Sequence, residues 1–187
     1  MTKQYLFTSS RLGMRAWSLS DLDSMAAINQ NKEVMEFFPY MPDRIQSMEF
    51  IERMQKMFAE KKYCYFATDT LVDGKFIGFI GIAYQDYNVP FAPFTDIGWR
   101  LHKSAWGNGY ATEGAIASLD YAFNSIGLPE IYSLASEQNV KSEKVMQKIG
   151  MIKQDNFEHP KLIDYPDLKK CCLYRIQRKD YISDSKK

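Results

Sequence analysis

Apolar positions recur along the chain at two spacings, which divide it into short strands and amphipathic helices. Leu12-Gly13-Met14-Arg15-Ala16-Trp17 alternates weakly and predicts a first strand. Ser20 or Asp21 then offers an N-cap to a helix with Leu22, Met25, Ala26 and Ile28 on one face. Val34-Met35-Glu36-Phe37-Phe38 predicts a second helix start, cut short by Pro39-Tyr40-Met41-Pro42, because the residue before a proline is driven out of the helical region. From Gln46 to Lys61 the helical spacing returns with Phe50, Ile51, Met54, Met57 and Phe58. Tyr63 to Thr68 has the composition of a strand. Asp73-Gly74 signals a hairpin turn, and the unbroken apolar run Phe76 to Tyr84 reads as a strand covered on both faces.

A linker with Pro90 and Pro93 leads to a strand over Thr95–Leu101. A helix is predicted over Ala111–Ile126, stopped by Gly127 and Pro129. Ile131–Ala135 is a short strand, and Asn139 caps a helix that carries Val145, Met146 and Ile149 and closes at Gly150. Met151-Ile152 begins another strand, 157–167 is a loop, Lys170–Gln177 is the last strand, and Lys179 onward is expected to fray. No repeat or low-complexity stretch interrupts this order. The expectation is one α/β domain over residues 1–187, with its core from about 12 to 177 and a mixed sheet carrying helices on both faces.

Trp106-Gly107-Asn108-Gly109-Tyr110-Ala111 lies between the strand Thr95–Leu101 and the helix that follows. Strand, glycine turn and helix is a layout that makes an anion site. Glycines let the backbone turn tightly and approach a ligand, and the free N–H groups at a helix start carry the positive end of its dipole. An ordinary strand-to-helix turn has the same outline. A nucleotide P-loop is excluded, since Gly-x-x-x-x-Gly-Lys-[Ser/Thr] is absent, and a dinucleotide fingerprint fails because Thr112 stands at its third glycine.

With 24 basic and 23 acidic residues, the net charge of +1 gives no footprint for nucleic acid. No apolar run approaches the roughly 20 residues of a membrane span, and the N-terminus has no signal-peptide pattern. Cys64, Cys171 and Cys172 make neither a disulfide framework nor a metal quartet, and His102 and His159 lack ligand spacing. No metal is expected, and the thiols read as reduced and inert in a cytoplasmic protein.

Three segments together resemble the GCN5-related N-acetyltransferases, in the branch that includes the ribosomal-protein alanine N-acetyltransferases. They are Ile97–Leu101 with Trp106–Glu113, then Asn139–Met151, then Phe157-Glu158-His159-Pro160 with the late Tyr174-Arg175, and the resemblance spans about Leu12 to Gln177. It implies a twisted, mostly antiparallel mixed sheet whose two central parallel strands, Thr95–Leu101 and Ile131–Ser136, splay apart around acetyl-coenzyme A. It places the pantetheine arm against the backbone near Trp99 and Leu101, the pyrophosphate over Trp106–Ala111, and Asn139 and Ser142 beside the arm. The glycine motif departs from the family's pattern at Ser104, where Gln or Arg is usual, and Lys103 is either extra phosphate charge or a solvated side chain. The branch also implies a homodimer.

Acetyl transfer to nitrogen needs a neutral amine. An α-amine with pKa near 8 is roughly a tenth neutral at pH 7, whereas lysine is under about 0.1% neutral, so an α-amine needs only a modest base. Asp96 is the first candidate for that base, with a solvated strand-end aspartate as the other reading. Glu113 matches a branch glutamate but suits the first helical turn on dipole grounds, and Asp86 and Glu137 are weaker candidates. The tyrosine that many family members use as acid falls at Met146 here, and Ser142 is what the branch offers instead. Phe37, Phe38, Tyr40 and Met41 around the proline bend, with Tyr84, Tyr87, Phe91 and Phe94 before the cofactor strand, frame the implied acceptor pocket. Of these, Phe38, Tyr40, Tyr84 and Tyr87 are the candidate substrate contacts; core packing is the other reading of each ring. His159 is expected to anchor its loop. No cysteine lies in the cleft motif, which suits direct attack by a protein or peptide α-amine, with a polyamine or drug as the alternative acceptor and a coenzyme A-binding module without transfer as the non-enzyme reading.

Overall fold

The computed structural model describes residues 4–184. Its strands are β1 (Phe7–Thr8), β2 (Leu12–Arg15), β3 (Tyr65–Thr70), β4 (Phe76–Gln85), β5 (Phe94–Leu101), β6 (Glu130–Ser136), β7 (Ile152–Lys153), β8 (Phe157–Glu158) and β9 (Lys170–Gln177). They form one sheet in the order β1-β2-β3-β4-β5-β6-β9-β7, with β8 also on β9. All neighbours are antiparallel except β5 and β6. The unbroken apolar run thus becomes the long strand β4, buried from Ile77 to Ala83.

The helices are α1 (Leu22–Asn29), α2 (Arg44–Lys61), α3 (Tyr110–Asp120), α4 (Val140–Lys148) and α5 (Arg178–Asp184). Phe79 and Ile80 are neighbours on β4 and therefore point to opposite faces. Phe50 of α2 packs on Phe79 with ring centroids 5.2 Å apart. On the other face α3 comes so close that a Cβ on Gly114 would sit 2.4 Å from Ile80 Cδ1. Helices therefore cover both faces, and each fully buried side chain, Phe66 and Phe123 among the largest, contributes on the order of 1.5–3 kcal/mol.

The parallel pair is where the sheet opens. β4 and β5 stay in register from Gly78↔Leu101 to Gln85↔Phe94, whereas β5 and β6 share the single pair Asp96↔Tyr132. Just beyond that pair the Ser133 hydroxyl donates to the Ile97 carbonyl at 3.0 Å, so a side chain takes the place of the next ladder bond. This is the mixed, mostly antiparallel sheet with a splayed central pair that the resemblance implied.

Several local expectations change. The helix start at Val34–Phe38 is a run of turns, because Asn31 Oδ1 accepts the N–H groups of Glu33 and Val34, both at 3.1 Å, and closes the chain on itself. Val34 and Met35 are nevertheless buried, beside Ile28. α2 begins two residues early, since Asp43 and Gln46 form a reciprocal capping box. α3 runs on through a wider helical turn, Tyr121–Ile126, to Gly127 in a left-handed conformation. The expected fraying from Lys179 gives way to α5, whose Tyr181 packs on Phe123 at 5.1 Å, and residues 185–187 lie outside the described residues.

Below α1 the Arg15 guanidinium holds two buried carboxylates at once. It donates to Asp69 at 2.7 and 3.0 Å and to Asp21 at 2.7 and 2.8 Å. Asp21 also accepts the Ser18 N–H at 3.0 Å, so this cluster ties the start of α1 to β2 and β3.

Candidate functional site

A cavity of about 470 Å³ passes through the opening between β5 and β6. Residues from both faces of the sheet line it: Trp99, Ser142 and Met146 from the face of α3 and α4, and Phe38, Tyr65, Phe79, Asp96 and Arg100 from the face of α2. Strand alternation decides which backbone groups meet this opening. His102 N–H bonds to Ile77 of β4, and Ile97 C=O bonds to Ser133 of β6, so Ile97, Trp99 and Leu101 turn their backbones toward β6. The Leu101 carbonyl is already taken by the Trp106 indole N–H at 3.0 Å. Trp99 lines the cavity, and the Leu101 side chain is buried in the core.

The glycine stretch forms the approach to α3. Gly107 and Gly109 both have φ +78°, which only glycine adopts without strain, and a Cβ at Gly107 would meet nothing within 4 Å. The first bond of the helix runs from Glu113 N–H to Gly109 C=O, so the N–H groups of Tyr110, Ala111 and Thr112 have no partner within it. Asn108 turns its amide back onto the carbonyls of Ala105 and Trp106, at 3.2 and 3.1 Å, and so braces the loop rather than reaching outward. Lys141 at the start of α4 lies over the Trp106 ring, 4.6 Å from its centroid. Lys103, the candidate phosphate cation, is ion-paired with Glu33.

Arg11 was missed by sequence reasoning. It donates to the Asn108 carbonyl at 3.0 Å, lies over the Tyr110 ring at 4.7 Å and binds Glu113. Glu113 accepts from Ser9 Oγ at 2.6 Å and from Arg11 N–H at 2.7 Å. Burial pulls its carboxyl up, but the bonds from Ser9 and Arg11 reverse this and hold it below its ordinary value. Glu113 thus fastens the β1–β2 turn to α3 and faces no substrate space, in line with the structural reading of this residue.

Asp96 is buried at the one residue of β5 that pairs with β6. Tyr65 Oη donates to its Oδ1 at 2.7 Å, and Gln85 Nε2 donates to the same atom at 3.2 Å. Burial pushes the carboxyl up to about 6, with those two hydrogen bonds pulling the other way. Tyr65 reaches Asp96 by lying across Gly98, where a Cβ would stand 3.1 Å from its ring, and it stacks on Phe79 at 5.2 Å. Tyr65 and Gln85 come from β3 and the end of β4, and no local pattern in the sequence marks them. Arg100 could have been found, since it is four residues from Asp96 on the same strand face.

The remaining candidates separate cleanly. Phe38, Tyr40 and Tyr87 line the cavity, as do Asn139 and Ser142, whose N–H is capped by Asn139 Oδ1 at 3.1 Å. Tyr84 does not: it points to the opposite face of β4 from Phe79, with Lys61 over its ring at 3.9 Å. Phe91 and Phe94 pack on Tyr132 in a small core cluster. Asp86 and Glu137 are exposed and outside the cavity. His159 accepts the Lys161 N–H at 3.2 Å and stacks on Tyr87, which anchors its loop as expected. Cys171, though outside the cleft motif, lines the cavity. Burial, then the neighbouring Cys172 and Glu137, push its thiol up to about 12, so it stays protonated near neutral pH.

Residues 11–152 match the family model described as the acetyltransferase (GNAT) domain. That is well over half of the chain, which therefore belongs to the GNAT family and is an acetyl-transferring enzyme. Among particular relatives, the Bacillus subtilis protein YkkB is 34% identical over 122 residues, 64% of this chain and 68% of the relative. A GNAT-family acetyltransferase of Bacillus anthracis superposes with a TM-score of 0.76 at 22% identity, covering 92% of this chain and 98% of its own. The spermidine N-acetyltransferase of Vibrio cholerae, in a complex with CoA and spermine, gives a TM-score of 0.74 at 19% identity, covering 92% and 99%. At these identities the last two carry the fold alone. GNAT enzymes use acetyl-CoA and acetylate amines. Among the described residues no group of His, Cys, Asp and Glu is arranged to hold a metal, and no helix is long and apolar enough to cross a membrane.

Proposed function

We propose that this enzyme acetylates the α-amine of a protein or peptide directly from acetyl-CoA, as a member of the branch that includes the ribosomal-protein alanine N-acetyltransferases, with Asp96 as the base. The observation that carries this reading is the buried Asp96 carboxyl, raised to about 6, where β5 and β6 part. A base of that strength is ionised at pH 7 and suited to an α-amine, which is partly neutral there.

The residues present fit the donor. Open space at Gly107 and the unpartnered amides that start α3 suit a pyrophosphate over Trp106–Ala111. The Trp99 backbone suits a pantetheine amide, and Asn139 and Ser142 line the same cavity. When bound, acetyl-CoA supplies an acetyl group activated as a thioester. Asp96 takes the proton that the amine nitrogen loses as it bonds to the acetyl carbon. Ser142 donates a hydrogen bond to the departing sulfur, which needs little help at a thiol pKa of about 8.5. The protonated Cys171 argues against an acyl-cysteine step. Phe38, Tyr40 and Tyr87 form the acceptor side. The buried thiols suit a cytoplasmic protein, and the branch resemblance supports a homodimer.

Calorimetry with acetyl-CoA and a thiol-release assay over N-terminal peptides and small amines, spermidine included, test this reading. Binding and release with a peptide acceptor are expected. Absence of acetyl-CoA binding at high micromolar concentration, or release with spermidine only, would overturn it. Ser142→Ala is expected to lower kcat by about 5- to 30-fold, the size of one hydrogen bond, with acetyl-CoA affinity nearly unchanged. An unaltered kcat would remove the role assigned to Ser142.

A further inference from the structure

Arg100 carries a charge in the cavity that the transfer reading does not use. Its side chain lies between two aromatic rings, 4.0 Å from the Phe38 centroid and 5.6 Å from that of Phe79. Nη1 donates to Asn29 Oδ1 at 2.7 Å. Nε is buried without any hydrogen-bond partner. No carboxylate pairs with this guanidinium among the described residues, in contrast to Arg15, which holds two. Arg100 is half-buried, and a cation that is partly desolvated without a counter-ion is costly, which ring faces offset only in part. Fastening α1 to β5 through Asn29 needs one N–H and leaves the charge and the Nε donor unexplained.

The charges around the cavity point the same way. Its charged lining consists of Arg100 and Lys161 against the single carboxylate of Asp96. A polycation such as a polyamine would meet two like charges there, while an anionic acceptor would meet a desolvated partner. Asp96 and Arg100 lie on one face of β5, four residues apart, which is roughly 13 Å between their backbones. An extended peptide advances about 3.3–3.6 Å per residue, so an acidic side chain one or two residues in from the amine lies on the scale of that separation.

We infer that the acceptor is an acidic peptide: Arg100 pairs with a carboxylate carried one or two residues beyond the α-amine that Asp96 deprotonates. This rests on the transfer reading above and adds the substrate's charge. A partly desolvated guanidinium binds a carboxylate by charge-assisted hydrogen bonds, which are short and directional.

The test uses three tripeptide amides with acetyl-CoA: Ala-Glu-Ala, Ala-Gln-Ala and Ala-Lys-Ala. The unmodified enzyme is expected to prefer the Glu peptide over the Gln peptide by about tenfold or more in kcat/KM, mainly through KM, with the Lys peptide poorest. Arg100→Gln is expected to erase the Glu-over-Gln ratio, and Arg100→Lys to keep part of it. Equal kcat/KM for the Glu and Gln peptides, or a preference that survives in Arg100→Gln, would overturn the inference and leave amine acetylation standing. No transfer to any peptide would remove the peptide-acceptor reading and this inference together. Should Arg100→Gln fail to fold, the ratio in the unmodified enzyme and in Arg100→Lys decides.

Discussion

Asp96→Asn is expected to lower kcat/KM by about 10²- to 10⁴-fold, the range that a positioned base contributes, while making the folded protein more stable at neutral pH. Both effects come from one environment. The carboxyl titrates near 6 in the fold against an ordinary 3.8, because burial disfavours its charge more than Tyr65 and Gln85 stabilise it. The stability associated with the protonated form is therefore fully present below about 3.8 and is lost as pH rises through about 6. A difference of roughly two units corresponds to about 3 kcal/mol. Asparagine keeps an oxygen for the Tyr65 hydroxyl and has no charge to bury, so at pH 8 the variant is expected to melt up to about 10 °C above the unmodified enzyme.

The pH profile separates catalysis from packing. In the unmodified enzyme kcat/KM should climb through pH 6 as Asp96 ionises, with a second rise near 8 from the amine itself. Only the first limb should vanish in Asp96→Asn. Tyr65→Phe removes a hydrogen bond to the ionised carboxylate, so it should move that limb to higher pH and leave it in place. A variant at Asp96 that keeps both the rate and the lower limb would sink the assignment.

The second large effect is on the fold. Arg15→Met leaves the carboxylates of Asp21 and Asp69 buried without the cation that both of them bind. The loss of one partner from such a cluster costs about 3–5 kcal/mol, which for a chain of this length is on the order of 10 °C in melting temperature. Equilibrium urea unfolding of the variant measures this directly, and a loss under about 1 kcal/mol would contradict the arrangement. Replacing the exposed Lys103, ion-paired with Glu33, should change stability by less than about 1 kcal/mol, which makes it a control.

The two residues differ in how far the chain announces them. Asp96 sits at the start of a recognisable strand, where the family resemblance implies a carboxylate. Arg15, Asp21 and Asp69 look in sequence like three ordinary polar residues, and their pairing spans up to 54 positions. Such long-range pairs depend on strand register, which a one-residue slip would reverse.

What the sequence determined by itself acts within one element or one turn. The Phe76–Tyr84 run made a strand covered on both sides, Asn139 and Gly150 bounded α4, and Gly107 and Gly109 supplied the two positive φ values before α3. Tertiary structure alone decided what stands across from what. It turned Tyr84 away from the cavity, gave Cys171 a place in it, and brought Tyr65 and Gln85 onto Asp96. Among the described residues it also left Arg100 without a counter-ion, beside two aromatic rings. Local propensity follows from backbone sterics and hydrogen bonds a few residues apart, whereas burial, and with it the charge state of Asp96 and the unused cation of Arg100, exists only once distant strands have closed around a site.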